Sequence, residues 1–538
     1  MCGIAGQWGA VDEPKVRDML RTIAHRGPDA EGVHVSPGHG VIGSRRLAIM
    51  DPEHGHQPLY SEDRSRVLVA NGEIYNYPSL RRELSGRHAL ATGSDSEIII
   101  HLHEDLGDAA TARLDGMFGF ALVAGPRLLL ARDPLGIKPL YYGFETKGDG
   151  RRVLHFASEL KALADASFPI RALSPGSTLD SDGVSHTFYK VPLHKPEDRD
   201  PLEWARRVRE ALAASVERHL MSDVPVGVFL SGGLDSSIVA ALARRYVTQL
   251  HTFSVGFEGS QDLEAARRVA AHLGTIHHER ILTVDDLITV MPEVVRQMEH
   301  FAPELVTHAI PTWHAAKLAR EHVKVVLVGE GADELFGGYG YFKRYLRAGK
   351  TDLLWRELHR CTATLHANNL QRVDRMTMAH GLEARVPFLD TALVDLAMRI
   401  PISAKFHMDA SGADWTEKWV LRLACDGLLP DEILWRPKAA FGHGSGVVER
   451  AEVLLDAYGA HGLGAEAARR YPHWRIATDE EAMYHRVLIE AYGDNPVFLN
   501  NCDRWILDIL RSDPKRTVKP RRRLWQRIRR WVGDRIRR

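Results

Sequence analysis

No two cysteines in this chain stand as Cys-x-x-Cys, and no two histidines stand as His-x-x-x-His with an acid beside them. The four cysteines, Cys2, Cys361, Cys425 and Cys502, are scattered, which argues against both a structural zinc site and a disulfide framework. His277-His278-Glu279 reads as the end of a strand, not as a metal centre. No apolar run reaches the length of a membrane span, and the opening Met-Cys-Gly-Ile lacks a charged leader, so a cytoplasmic location is expected. An overall excess of charge is missing too, since 70 Lys and Arg balance 70 Asp and Glu. The balance is uneven along the chain: residues 514–538 hold twelve Lys or Arg and one Asp, so the tail is basic and the body acidic. At 538 residues and 44% hydrophobic, there is material for two to four globular domains.

What is present centres on Pro225 to Ser237. Val226 to Leu230 is an apolar run of strand length, Ser236 to Val247 has a helical pattern, and only Ser231-Gly232-Gly233-Leu234-Asp235 lies between. A glycine-bearing turn at a helix start offers free N–H groups and a dipole to an anion, most simply a phosphate. It is neither the Walker loop, because no Gly-Lys-Ser/Thr follows, nor the dinucleotide fingerprint, because the third glycine is missing.

At the other end, removal of Met1 would leave Cys2 with a thiol and an α-amine on one residue, a nucleophile beside its own base. Downstream, Val67 to Ala70 reads as a strand ending in Asn71-Gly72-Glu73, Ser44 to Ile49 places Arg46 in a short strand, and Thr92 to Asp95 is a turn. An Asn side chain with the following glycine N–H suits an oxyanion, an arginine suits a carboxylate, and Glu73 and Asp95 suit an ammonium. Such a set would recognise a free α-amino acid.

With His25-Arg26-Gly27-Pro28-Asp29 and Gly136-Ile137-Lys138-Pro139, these segments resemble the N-terminal-nucleophile glutamine amidotransferases. The Ser231–Ser237 string resembles the ATP pyrophosphatase loop. The pair, from Cys2 to roughly Arg511, resembles the glutamine-hydrolysing asparagine synthetases of the bacterial B type. The resemblance implies a four-layer αββα glutaminase domain of the α+β class over residues 1–189, a linker over 190–201, an α/β doubly wound parallel-sheet synthetase domain over 202–513, and the basic tail. It implies that Cys2 attacks the glutamine amide, that Asn71 and Gly72 stabilise the oxyanion, and that Arg46, Leu47, Ile49, Glu73 and Asp95 bind the rest of glutamine.

From Leu202 onward strand and helix patterns alternate, which indicates a parallel sheet, and the strand Val323 to Val328 ends in Gly329-Glu330-Gly331-Ala332-Asp333. Loops after such strands share one crevice, so this acidic loop can face Ser231. Asp235 and Asp333 are then the obvious Mg²⁺ ligands. By resemblance ATP lies against Leu230, Ser231, Gly232, Gly233, Leu234, Asp235, Ser236, Ser237, Val255, Val328 and Gly329, with Lys438 on the pyrophosphate. Glu330 handles the proton as ammonia attacks, and Arg372 to Asp390 is scaffold beneath the site.

Thr307 departs from the pattern, standing where the family carries an arginine that suits aspartate. That leaves a different carboxylate, from a cell-envelope or secondary-metabolite precursor, as the alternative acceptor. From Pro520 the tail places Leu524, Ile528, Trp531, Val532 and Ile536 on one helical stripe among arginines, fit for peripheral contact with the inner membrane face. A homodimer is compatible with the sequence, and no sequence-specific nucleic-acid partner is expected. A silent membrane-bound scaffold is the rival class, against which the intact set from Cys2 to Lys438 argues.

Overall fold

The computed structural model describes residues 2–409, 412, 414–437 and 444–502. Lys438 and the basic tail therefore lie outside the described residues. Among those described, no helix is long and apolar enough to cross a membrane.

Alternation builds the N-terminal part. Twelve strands are involved: β1 (Cys2–Trp8), β2 (Ala30–Ser36), β3 (Gly40–Arg46), β4 (Leu59–Tyr60), β5 (Arg66–Ile74), β6 (Gly116–Ala124), β7 (Arg127–Arg132), β8 (Tyr141–Thr146), β9 (Arg152–Ala157), β10 (Ile170–Ala172), β11 (Ser177–Asp180) and β12 (Ser185–Thr187). They form two six-stranded sheets, ordered β10-β8-β9-β1-β3-β2 and β12-β11-β7-β6-β5-β4. Along β5, Val67 and Val69 face one way and Leu68 and Ala70 the other, and all four are buried. Val67 and Val69, with Ala121 and Leu130, meet Ile4, Ile42 and Phe156 of the first sheet. Leu68 and Ala70, with Phe118 and Phe120, meet Leu80 and Ile99 of the helices Tyr77–Leu84 and Glu97–Leu106. Helix Glu13–Thr22 covers the opposite outer face through Val16, Met19 and Leu20 against Ala5 and Val41. The result is the expected αββα layering.

The C-terminal part is organised by five parallel strands: β13 (Val226–Phe229), β14 (His251–Phe257), β15 (Ile276–Leu282), β16 (Val325–Leu327) and β17 (Glu383–Arg385). Their order is β15-β14-β13-β16-β17. The chain runs outward in one direction from β13, returns, and continues outward from β16, so the switch point lies between those two strands. There the loops after the strand ends open a shared crevice. Val228 pairs with Leu327 across it, which fixes the Ser231 and Glu330 loops as neighbours. Residues 190–200 carry no regular structure before helix Pro201–His219, and Glu197 is tied by its N–H to the carbonyl of Arg399, 2.9 Å away.

Two local expectations differ from what is observed. Strand β5 continues through Asn71-Gly72-Glu73, where the sequence suggested a strand end, because these residues pair with Gly119, Phe118 and Met117 of β6. Gly72 is what permits it, since a Cβ there would lie 2.0 Å from the Met117 carbonyl oxygen. The helix after the Ser231 loop begins at Leu234 and ends at Ala243, so Asp235 sits in its first turn.

The two parts pack into one unit spanning residues 1–502, and apolar clusters that run across the join are pinned by buried ion pairs. Arg26, fully buried, reaches Glu159 Oε1 at 2.7 Å and Asp374 Oδ2 at 2.8 Å, while Arg375 reaches Glu159 at 3.0 Å and Glu299 at 2.8 Å. Charges this deep persist only because each has several partners, and losing one partner of such a pair costs about 3–5 kcal/mol.

Candidate active sites

Strand β1 delivers Cys2 to the middle of its sheet, with Arg46 opposite it in register on β3. The Cys2 thiol is buried, and Gln57 Nε2 donates toward its sulfur at 3.8 Å. Burial pushes the thiol's pKa up, against the pull of the Leu47 N–H and the Arg46 charge. Asn71 is fully buried on β5, directly across the sandwich. Its Oδ1 accepts the Cys2 N–H at 3.0 Å, and its Nδ2 has no hydrogen-bond partner among the described residues. A buried amide donor left unmade is costly, which marks Nδ2 as waiting for an acceptor beside the sulfur. Arg26 reaches the same residue from the other side, donating from Nε to the Cys2 carbonyl at 3.2 Å. The backbone of Cys2 is thereby linked, through one guanidinium, to Asp374 of the C-terminal part.

Glu73 and Asp95 are both buried. Asp95 Oδ2 accepts the Ile74 N–H at 2.6 Å, yet burial still pushes its carboxyl up to about 6. Burial, with Asp95 and Glu383 nearby, drives Glu73 well above the ordinary carboxylate range, although Arg385 lies 3.3 Å from Glu73 Oε1. Arg385 also grips Glu383 at 2.5 Å, so one guanidinium serves both Glu73 and Glu383. A pocket lined by carboxyls that burial pushes up is one that an ammonium would fit. Arg46 differs from expectation in detail: the carbonyls of Pro52, Met50 and Asp51 take three of its five N–H donors, at 3.1, 3.1 and 2.6 Å. It shapes the loop after β3 and keeps two donors over. Leu47 and Ile49 are buried in the loop after β3.

In the crevice, Ser231 Oγ lies 3.0 Å from Ser236 Oγ and accepts the Gly233 N–H at 3.3 Å. Gly233 caps the helix with no side-chain bond, so the first-turn N–H groups are turned outward. Gly232 has φ +67°, and a Cβ there would lie 2.5 Å from Ala266 N, so no other residue fits the turn. Leu230, Leu234, Val255, Val328, Ser236 and Ser237 are buried around the loop, and a Cβ on Gly329 would lie 2.9 Å from Asp235 Cβ. Among the described residues, Asp235 and Asp333 both reach Lys418. Lys418 Nζ stands 2.6 Å from Asp235 Oδ2 and 2.5 Å from Asp333 Oδ1, with Lys418 itself buried. Glu330 is raised by burial and pulled back by Arg372, 3.0 Å away.

Lys418, Arg372, Arg385 and Gln57 were not singled out from the sequence. Only Lys418 carries a backbone sign, a non-glycine residue at φ +56°. Arg372 and Arg385 fall in the segment read as scaffold, which in fact places side chains at both sites. Thr307, read as lining the acceptor pocket, is buried in helix Pro303–Arg320. Its Oγ1 donates to Glu480 at 2.8 Å and lies 3.1 Å from the Tyr484 hydroxyl, a helix-packing contact.

A sandwich with cysteine on its first strand, joined to a doubly wound sheet with two acidic loops at its switch point, defines an amidotransferase coupled to a nucleotide-binding sheet. The family description "Glutamine amidotransferase domain" matches residues 1–218, and "Asparagine synthase" matches 207–356 and 347–470. The chain is 39% identical over 526 residues to an asparagine synthetase [glutamine-hydrolyzing] of Asparagus officinalis, covering 91% of this chain and 86% of that one. It is 37% identical over 518 residues to asparagine synthetase B [glutamine-hydrolyzing] of Escherichia coli (strain K12), covering 91% of each. The chain belongs to the glutamine-hydrolysing asparagine synthetase family.

Proposed function

We propose that this enzyme hydrolyses glutamine at Cys2 and uses the ammonia to convert aspartate to asparagine, at the expense of ATP. Once Met1 is removed, the nitrogen held by Asn71 Oδ1 is an amine beside the thiol. The thiol proton passes to that amine as Sγ bonds to the amide carbon. The carbonyl oxygen becomes an oxyanion, which takes Asn71 Nδ2 and the Gly72 N–H as donors. Collapse expels ammonia with that proton, and water cleaves the thioester to glutamate. Glu73 and Asp95 hold the glutamine ammonium, and the spare donors of Arg46 its carboxylate.

At the crevice the aspartate carboxylate attacks the α-phosphorus of ATP and pyrophosphate leaves. The Ser231 loop and the helix at Leu234 face the phosphates. Asp235 and Asp333 fit Mg²⁺, because both already aim at one cation; the metal would supply neutralising charge to the phosphates. Ammonia then displaces AMP from the acyl-adenylate, and Glu330 accepts the proton. The divided Asn71 amide, oxygen on the Cys2 nitrogen and Nδ2 unpartnered, is the observation that carries this reading. The alternative acceptor rests on Thr307 standing where the family carries an arginine, and the two relatives, both asparagine synthetases by name, favour aspartate.

Cys2→Ala is expected to abolish glutaminase and glutamine-dependent asparagine synthesis while sparing synthesis from added ammonium, measured as asparagine and pyrophosphate. Retained glutamine hydrolysis would refute the assignment. A homodimer and membrane contact through residues 514–538 are proposals from the sequence. Sedimentation velocity tests the first, and vesicle co-sedimentation of a chain cut after Asp513 tests the second.

A further inference from the structure

Four side chains from three separate segments converge on the outer side of helix Glu97–Leu106. Glu62 follows β4, His88 follows helix Tyr77–Leu84, and His101 and Glu104 lie one turn apart on the helix itself. The two imidazoles present the same atom to the two carboxylates. His88 Nδ1 is 3.3 Å from Glu104 Oε2 and 3.9 Å from Glu62 Oε1; His101 Nδ1 is 2.9 Å from Glu104 Oε2 and 3.7 Å from Glu62 Oε2. Ligands of a tetrahedral zinc ion at 2.0–2.2 Å stand about 3.4 Å apart, so these separations bracket the required edge. We propose that Glu62, His88, His101 and Glu104 form a binding site for a divalent transition-metal ion, zinc by chemistry and geometry.

The surroundings are those of a metal centre rather than of a surface ion-pair cluster. On its far side His88 Nε2 is 3.0 Å from Asp105 Oδ1, while His101 Nε2 lies 3.7 Å from Glu97 Oε1 with no hydrogen bond. The outer acid on His88 fixes that ring and raises its basicity toward a metal. His101 is fully buried and His88 is 12% exposed at its side chain, so the donors are held by packing, while Glu62 at 38% leaves an entry path. Glu62 is itself fixed, its Oε1 accepting the Ala89 N–H at 2.7 Å. The nearest cations engage outward-facing oxygens: Arg66 stands 3.6 Å from Glu104 Oε1, and Arg87 stands 2.7 Å from Asp105 Oδ2. A two-imidazole, two-carboxylate set with these spacings suits zinc over magnesium or calcium, which prefer six or more oxygens.

The placement also says what the ion would do. Glu97 accepts the N–H groups of Ala91 and Thr92 at 2.6 and 2.8 Å, and so anchors the turn that presents Asp95 to the glutamine pocket. A metal on His101 clamps the helix under that turn from below. No spacing in the sequence announces the set, because only His101 and Glu104 are near neighbours in the chain.

The test is zinc titration of the full-length enzyme against a chromophoric chelator, with cobalt substitution read by visible absorption and melting followed with and without zinc. The expected result is one equivalent lost in both His88→Gln and Glu104→Gln but retained in His278→Gln, which lies in the other histidine cluster (His251, His278, His322). Zinc should raise the melting temperature of the wild type and not that of the two variants. Asp105→Asn should weaken binding about 10- to 100-fold without removing a ligand. Equal stoichiometry in the wild type, His88→Gln and Glu104→Gln would overturn the proposal, as would a cobalt spectrum lacking tetrahedral bands.

Discussion

The two candidate sites hold their acids in different ways, buried at the sandwich and half-buried at the crevice. At the sandwich, Glu73 and Asp95 are pushed up by burial, with one arginine shared among neighbours. At the crevice, Asp235 and Asp333 share the ammonium of Lys418. At the first site burial outweighs the nearby positive charges and keeps both carboxyls up. At the second Lys418 Nζ lies against both carboxylates, so a metal held by them would have to displace that side chain. Substrate binding should therefore be strongly coupled to protonation at the sandwich, and ion binding coupled to lysine displacement at the crevice.

The largest effect is expected where an internal cation is removed. Lys418→Ala takes away the ammonium that Asp235 and Asp333 share and should lower stability. Mg²⁺ should restore much of it, so denaturation midpoints with and without Mg²⁺ should diverge in the variant and nearly coincide in the wild type. Equal response in both proteins would erase the difference drawn between the two regions. At the sandwich, Asn71→Ala removes one oxyanion donor and should raise the barrier to glutamine hydrolysis by about 2.7–4 kcal/mol, read in kcat, with ammonium-dependent synthesis untouched.

Much of this is legible in short strings. Ser231 to Ser237 and Gly329 to Asp333 carry local backbone requirements, glycines at a tight turn and acids beside them, so their residue types alone place both loops. The αββα layering follows from alternation such as that along Val67 to Ala70. What is not legible arrives through tertiary packing. Lys418 lies 183 residues from Asp235, and Arg385 meets Glu73 only because β17 is the edge strand beside the sandwich. Asn71-Gly72 reads as a turn, since those residue types favour turns, but pairing with β6 overrides the local preference.

A smaller effect, in pH dependence, should separate the two regions again. Glutamine's ammonium needs ionised carboxylates, and Asp95 titrates at about 6 in the free pocket. Protonating Asp95 should weaken glutamine binding, so the KM for glutamine should rise as pH falls through that value, by up to about tenfold per pH unit. Asp95→Asn should bind glutamine weakly and lose that dependence. The KM for ATP at the crevice should not follow the same curve. Smallest is Thr307→Val, which removes a hydroxyl shared by Glu480 and Tyr484 and should cost about 1 kcal/mol of stability, with aspartate use unchanged.

Arg385 belongs to both regions at once. Its carbonyl accepts the Val328 N–H at 2.9 Å, where the Glu330 loop begins, and its guanidinium lies against Glu73 in the glutamine pocket. For anyone building chimeras, a glutaminase half taken from one relative and grafted onto the synthetase half of another would bring a pocket whose counter-charge stayed behind. In a swap that cuts only in the connecting segment, glutamine use should survive only where the new synthetase half brings its own arginine to that place.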